Sequence, residues 1–183
     1  MNYKMNIAGL ERELPLCKVN DELYIAAFIM FGDIEITKAC AKELLKKAPE
    51  FDIMITAESK GLPLLYEMTR QAGINNYILA RKSRKLYMPD IISTNVNSIT
   101  TENQQFLCIS TDDAKYIKGK KVLIVDDVIS TGESLAALSQ LVENAGGNIV
   151  GKMAVLAEGD AAKRDDIIFL EPLPLFDNNG NVL

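Results

Sequence analysis

The chain has 183 residues, of which 48% are hydrophobic and 25% are charged, as in an ordinary globular domain that buries its own core. Its net charge of −5 argues against a nucleic-acid-binding protein, because such proteins need a basic face to displace counterions from phosphates. The sequence has no histidine, which excludes Ser-His and Cys-His nucleophile pairs and HExxH zinc sites. Any catalysis must therefore use carboxylates, hydroxyls, amines or a metal ion.

The three cysteines are odd in number and widely spaced, which fits neither a disulfide framework nor a CxxC metal site. The longest dense apolar run, residues 23–31, is shorter than the ~20 residues of a membrane span. Residues 1–6 lack the apolar segment of a secretory signal. We therefore expect a cytoplasmic protein without a membrane span and with one domain, residues 1–183, in which residues 1–33 form an N-terminal hood or appendage.

Strands and helices are predicted to alternate over the rest of the chain, from the spacing of its apolar residues. In chain order they are a helix at 36–47, a strand at 51–57, a helix ending at 72, strands at 77–80, 106–109 and 121–125, a helix from 132 to 146, and a strand at 149–156. The unbroken apolar run 121–125 is typical of a strand that is buried on both faces. The alternation predicts an α/β fold, with a doubly wound, mostly parallel sheet flanked by helices.

The strongest candidate site directly follows the strand at 121–125. It comprises Asp126, Asp127, Val128, Ile129, Ser130, Thr131, Gly132, Glu133 and Ser134. Ligands of open α/β sheets bind beyond the carboxyl ends of the strands, and a helix start offers unpaired N–H groups to a phosphate. The hydroxyl groups add further donors, and Gly132 permits close approach of the backbone. This segment is therefore predicted to bind a phosphate group.

The two adjacent carboxylates make a poor neighbour for a phosphate unless they hold neutral hydroxyls or a divalent cation. A sugar phosphate resolves this conflict. Its hydroxyls can hydrogen-bond to Asp126 and Asp127, directly or through waters on Mg²⁺, while its phosphate lies at the helix start. Both residues are therefore candidate catalytic residues and indirect metal ligands.

Residues 122–134 resemble the segment with which type I phosphoribosyltransferases bind 5-phosphoribosyl-1-pyrophosphate (PRPP). The resemblance, which favours the adenine and xanthine enzymes, implies transfer of phosphoribose from PRPP to a purine base, adenine first, with release of pyrophosphate. It also implies Mg²⁺ as cofactor, a small hood that recognises the base, and a homodimer. Residues 128–134 would hold the 5′-phosphate. Glu133 departs from the small residue often found there, so we expect its side chain to point away from the phosphate.

Two more segments resemble the pyrophosphate-binding parts of that family. The first follows the strand at 51–57 and contains Glu58, Ser59, Lys60 and Gly61. The second is a basic segment that opens a mobile loop and contains Arg81, Lys82 and Lys85. The alternative interpretations are an ordinary βα turn and a solvated run of charges.

Residues 87–105 are predicted to be a polar, irregular loop, and a loop of that length is unusual unless it is functional. In the family it would be a lid that excludes water, with Glu102 as a candidate acid-base residue. The hood would come from parts of residues 11–33 and 156–176. Four aromatic residues there fit either the core or a stack against the base: Phe28, Phe31, Phe169 and Phe176.

Three alternatives remain open. The acceptor could be xanthine, hypoxanthine, guanine or orotate on the same PRPP scaffold. A PRPP-sensing regulator could keep the pocket without turnover and bind RNA in a dimer groove. A signalling receiver domain also places acidic residues at strand ends, although it does not need the Ser-Thr-Gly segment at residues 130–132.

Overall fold

The computed structural model describes residues 1–96 and 105–183. The elements, in chain order, are β1 (Asn2–Ile7), β2 (Leu10–Lys18), β3 (Tyr24–Ala26), α1 (Ile34–Lys47), β4 (Ile53–Ala57), α2 (Leu62–Gln71), β5 (Ile78–Ala80), β6 (Ile91–Val96), β7 (Gln105–Ser110), α3 (Thr111–Ile117), β8 (Lys121–Ile129), α4 (Glu133–Asn144), β9 (Asn148–Glu158), a short 3₁₀ helix (Gly159–Lys163), β10 (Ile168–Leu173) and β11 (Leu175–Phe176). Within these ranges, no helix is long and apolar enough to cross a bilayer.

The central sheet has five strands in the order β10-β9-β8-β4-β5, and every pair of adjacent strands in it is parallel. Successive side chains of a strand point to opposite faces. Accordingly, Val122 and Ile124 of β8 pack in one core with α3 and α4, while Leu123 and Val125 pack in the other with α1 and α2. The predicted α/β fold with a parallel sheet flanked by helices is confirmed.

The N-terminal segment, for which no strands were predicted, forms a second sheet. Its order is β1-β2-β3-β11, so the last strand of the chain pairs with the third, and we call this sheet the hood. Ala8 and Gly9, at φ 52° and 82°, form the tight turn between β1 and β2. Arg12 of β2 attaches the hood to the start of α1, because its Nε lies 2.7 Å from the carboxylate of Asp33. This ion pair holds the pKa of Asp33 below its usual range.

Two predicted boundaries are wrong. β8 continues to Ile129 because β9 stays paired with it, so Asp126 and Asp127 lie within the strand and not beyond it. Residues 91–96, predicted to be irregular, form β6, which pairs antiparallel with β7 outside the parallel sheet.

Candidate active site

A crevice opens where β8 loses one of its two neighbouring strands. β4 pairs with β8 as far as Ile55 and Ile124, whereas β9 stays paired with β8 as far as Ala157 and Ile129. One edge of β8 therefore faces the loop that follows β4, at the carboxyl end of the parallel sheet. This is where open α/β sheets bind their ligands.

Gly61 brings that loop against the acidic pair. A Cβ atom on Gly61 would lie 2.5 Å from Thr56 Oγ1 and 3.1 Å from Asp126 Oδ1, so only glycine fits without displacing its neighbours. α2 begins at the next residue, Leu62. The structure therefore brings together the predicted pyrophosphate segment, residues 58–61, and the predicted ribose-binding carboxylates.

The two carboxylates are held in a setting that penalises their charge. Asp127 is only 4% exposed, and its backbone N–H donates to Asp126 Oδ1 at 2.9 Å. Burial raises the pKa of Asp126 well above its ordinary value, and the negative charge of Asp127 raises it further, while Lys60 acts in the opposite direction. Hydroxyl donors or a cation would relieve this unfavourable arrangement.

Three buried side-chain atoms have no hydrogen-bond partner among the described residues, and all three belong to residues at the carboxyl end of the parallel sheet. They are Thr56 Oγ1, Arg81 Nε and Asp127 Oδ2. A buried polar group without a partner costs about 1–3 kcal/mol, and natural proteins usually satisfy such groups. Their concentration here indicates a place where a polar ligand completes the structure.

The predicted phosphate loop starts α4. Gly132 precedes the helix with a φ of 83°, a conformation that favours glycine, and as a glycine it has no side chain to cap the helix start. The loop lines a cavity of about 50 Å³, and Glu133 is part of its lining. Arg164 lies against the loop, because its Nη1 would be 2.6 Å from a Cβ atom on Gly132. Backbone N–H groups at such a helix start suit a phosphate.

Glu58 joins the two predicted pyrophosphate segments. Its carboxylate accepts a hydrogen bond of 3.0 Å from the backbone N–H of Lys82 and lies 3.6 Å from Arg81 Nη2. These contacts lower the pKa of Glu58, mainly through the N–H of Lys82. Lys85 donates to Ser83 Oγ at 2.9 Å. The peptide bond between Glu58 and Ser59 is cis. Glu58 thus holds the basic segment in place at one end of the crevice.

A comparison with protein families decides which class of enzyme has this arrangement. Residues 32–181 match the phosphoribosyl transferase domain family. The chain belongs to this family. The predicted membership is therefore confirmed, and the protein is a PRPP-dependent phosphoribosyltransferase.

Individual relatives agree with that assignment. The chain is 32% identical to the adenine phosphoribosyltransferase of Rhodococcus jostii (strain RHA1), over 69% of each chain. It is 30% identical to the xanthine phosphoribosyltransferase of Exiguobacterium sp. (strain ATCC BAA-1283 / AT1b), over 74% of this chain and 70% of the other. The fold is similar to the crystal structure of adenine phosphoribosyltransferase from Thermoanaerobacter pseudethanolicus ATCC 33223, with a TM-score of 0.65 and 23% identity over 76% of this chain and 82% of the other.

A second cavity, of about 340 Å³, extends the phosphoribosyltransferase crevice beneath the hood. The size is within the usual range for small-molecule sites. It is lined by Ile25, Ala26, Ala27, Phe28, Ile29, Phe31, Lys60, Asp127, Val128, Ser130 and Glu158. Because Asp127, the hood and Lys60 all border it, this cavity is the candidate site for the acceptor base.

The four aromatic candidates separate in the structure. Phe28 and Phe31 line the cavity beneath the hood, and Phe31 is 52% exposed. Phe176 is fully buried and meets the ring of Tyr3 edge to face, at 4.9 Å between centroids. Phe169 packs against the core. Only the first two are therefore placed to contact a base.

Sequence reasoning missed Glu158. It ends β9, directly after the pair formed by Ile129 and Ala157, and so lies beside Ser130 at the carboxyl end of the sheet. An acidic residue at the end of a predicted parallel strand was the available signal. Glu102, the candidate acid-base residue, lies outside the described residues, as does the stretch 97–104 of the predicted lid.

The oxygen donors of the crevice fit a magnesium ion that arrives with its substrate. Over the described parts of the chain, no three acidic or cysteine side chains converge into a metal cage. The carboxylates of Asp126 and Asp127 instead offer a few hard oxygens, of which Asp127 Oδ2 has no partner among the described residues. Mg²⁺ commonly binds through one or two carboxylates together with water and substrate phosphates.

Proposed function

We propose that this phosphoribosyltransferase transfers phosphoribose from PRPP to a purine base, with adenine as the preferred acceptor. The observation that carries the proposal is Asp127, a buried carboxylate with a free oxygen at the point where the phosphate loop, the 58–61 segment and the hood cavity meet. The relatives named for adenine and xanthine support a purine acceptor.

Each part of the crevice then holds one part of the donor. Backbone N–H groups and hydroxyls of residues 130–134 bind the 5′-phosphate. Asp126 and Asp127 accept hydrogen bonds from the ribose hydroxyls, which satisfies the orphaned oxygen of Asp127. The loop 58–61, with Arg81, Lys82 and Lys85 beside it, faces the pyrophosphate. Mg²⁺ supplies neutralising charge to the phosphates when it is bound.

Transfer is a substitution at the anomeric carbon of ribose. A ring nitrogen of the base forms the new bond to that carbon, while the bond to pyrophosphate breaks and the leaving group takes the bonding electrons. The ring N–H proton passes to solvent or to an acid-base residue, for which Glu102 stays the prediction. The residues of this chain act mainly by positioning the reactants and by balancing charge.

A homodimer in the cytoplasm, with one domain per chain and without nucleic acid as a partner, completes the proposal. The family resemblance supports the dimer, and the net charge of −5 supports the last point. Sedimentation of the purified chain at several concentrations tests the dimer; a monomer at all of them would contradict it.

The test of function is product formation from PRPP and Mg²⁺ with adenine, xanthine, hypoxanthine, guanine or orotate. We expect a nucleotide and pyrophosphate in equal amounts, with adenine the best acceptor. Preference for orotate would refute a purine acceptor. If PRPP binds and no base reacts, the PRPP-sensing regulator becomes the better interpretation.

A further inference from the structure

Glu158 lies where the acceptor base must be recognised. Asp127 and Glu158 are the two carboxylates among the described residues that line the cavity beneath the hood. Asp127 belongs to the pair that is proposed to bind the ribose. Glu158 therefore provides a second acidic group for whatever molecule fills the rest of the cavity.

The carboxylate of Glu158 is available to such a molecule. The residue is partly buried, and this burial raises the pKa of Glu158, while Lys60 acts in the opposite direction. No described residue donates a hydrogen bond to it. A half-buried carboxylate without a donor gains more from a ligand N–H than a solvated one does, since it has already lost part of its hydration.

The rest of the cavity suits a flat heterocycle. Phe28, Phe31 and Val128 supply apolar surface, and Ala26 and Ala27 leave space between the hood and β8. Aromatic and apolar walls with a few polar groups are typical of sites that orient a planar ligand. Glu158 can distinguish bases that present an N–H group from bases that present a carbonyl oxygen, because an ionised carboxylate accepts hydrogen bonds and cannot donate them.

We propose that Glu158 accepts a hydrogen bond from the exocyclic amino group of the base, and thereby selects a 6-aminopurine over 6-oxopurines. A 6-oxopurine would turn a carbonyl oxygen toward the carboxylate, and the two acceptors would repel each other. A site built to bind an N–H group rejects analogues that lack it more strongly than an apolar pocket rejects an extra methylene group. This inference rests on the proposed function and names its specificity determinant.

The test compares adenine and hypoxanthine, which differ at position 6, as acceptors for the wild type, Glu158→Gln and the control Glu143→Gln. Glu143 is an exposed carboxylate in the last turn of α4 and does not line the cavity. We expect the wild type to favour adenine. Glu158→Gln should lower the ratio of the two kcat/KM values by about tenfold or more, mainly by lowering the KM for hypoxanthine, because its amide N–H can donate to the 6-carbonyl. The KM for PRPP should not change, and Glu143→Gln should match the wild type.

Each of the following outcomes would overturn the inference. An unchanged ratio in Glu158→Gln refutes it while the proposed function stands, whereas a wild type that prefers hypoxanthine refutes this inference together with adenine as the preferred acceptor. Absence of nucleotide from every base refutes the proposed function, and this inference with it. If Glu158→Gln does not fold, unsubstituted purine and adenine are compared as ligands of the wild type; equal inhibition constants would refute a role for the amino group.

Discussion

Asp127 is the residue on which the proposed chemistry depends most. It is 4% exposed and keeps an oxygen without a partner among the described residues. Asp127→Asn should therefore lower kcat/KM for PRPP by about a hundredfold, since the amide loses the negative charge and replaces one acceptor oxygen with an N–H donor. It should not lower the melting temperature, because a buried negative charge beside Asp126 is removed. Asp112→Asn, at a carboxylate that is 88% exposed, is the matched control. Wild-type activity in Asp127→Asn would refute the assignment.

The pKa of Asp126 predicts how stability depends on pH. Burial and the charge of Asp127 raise this pKa from 3.8 to about 8 in the folded chain. The folded state therefore holds a proton that the unfolded state has lost, so the ligand-free protein should lose stability as the pH rises from 5 to 8, by about 1 kcal/mol per pH unit. Urea unfolding of the wild type and of Asp126→Asn measures this. The variant should show a flatter curve, and parallel curves would contradict the raised pKa.

The acidic pair and the phosphate loop were predictable because their chemistry lies in consecutive residues. For Glu158 the sequence offers only an acidic residue at a strand end, and its place beside Ser130 comes from the pairing of β8 with β9. The same holds for Arg164, whose guanidinium lies against Gly132 although the two residues are far apart in the sequence. Side chains that meet through tertiary structure leave no local pattern in the sequence.

At the scale of elements, the start of α4 depends on Gly132. Its φ of 83° would strain any residue with a side chain. A Cβ atom at this position would also lie only 2.6 Å from Arg164 Nη1. Gly132→Ala should cost about 1–2 kcal/mol of stability and raise the KM for PRPP at least about tenfold. Gly9→Ala is the matched control, because Gly9 has a φ of 82° and a Cβ atom there would meet no atom within 4 Å. It should cost similar stability and leave the KM unchanged, whereas a normal KM in Gly132→Ala would contradict the assigned phosphate loop.

Two aromatic residues in and beside the hood are expected to have different roles, one in core packing and the other in binding the base. Phe176 is fully buried against Tyr3, so Phe176→Ala should lower the free energy of unfolding by about 3–5 kcal/mol. Phe31 is 52% exposed at the hood cavity, so Phe31→Ala should change stability by less than about 0.5 kcal/mol and raise the KM for the base. Denaturant titration and initial rates measure the two effects. A base KM that Phe31→Ala leaves unchanged would exclude Phe31 from the base site.

The hood also shows why some elements were missed. Polar and apolar residues alternate along β1, with a burial pattern to match, and the Ala8-Gly9 turn follows. This period of two was a usable signal for a hairpin. The pairing of β3 with β11 was not, because it joins residues 24–26 to residues 175–176. The buried strands β4 and β8 were predicted well, since both are unbroken apolar runs.

For the molecule as a whole, the orphaned polar atoms mark the site better than cavity size does. A larger cavity of about 460 Å³ lies between α1 and α2, and none of the three orphaned atoms belongs to its lining residues. The crevice at the carboxyl end of the sheet instead combines a helix start, a buried and a half-buried carboxylate, and a basic segment. Charged side chains and polar atoms without a hydrogen-bond partner among the described residues therefore lie together at one end of the parallel sheet.

The most direct measurement is a crystal structure of the chain with PRPP and Mg²⁺. We predict the 5′-phosphate at the N–H groups of residues 130–134, the ribose hydroxyls on Asp126 and Asp127, and the pyrophosphate against residues 58–61. Asp127 Oδ2 would then have a partner, within about 3.2 Å. PRPP bound elsewhere, or in this crevice with its ribose away from both carboxylates, would contradict the proposed site.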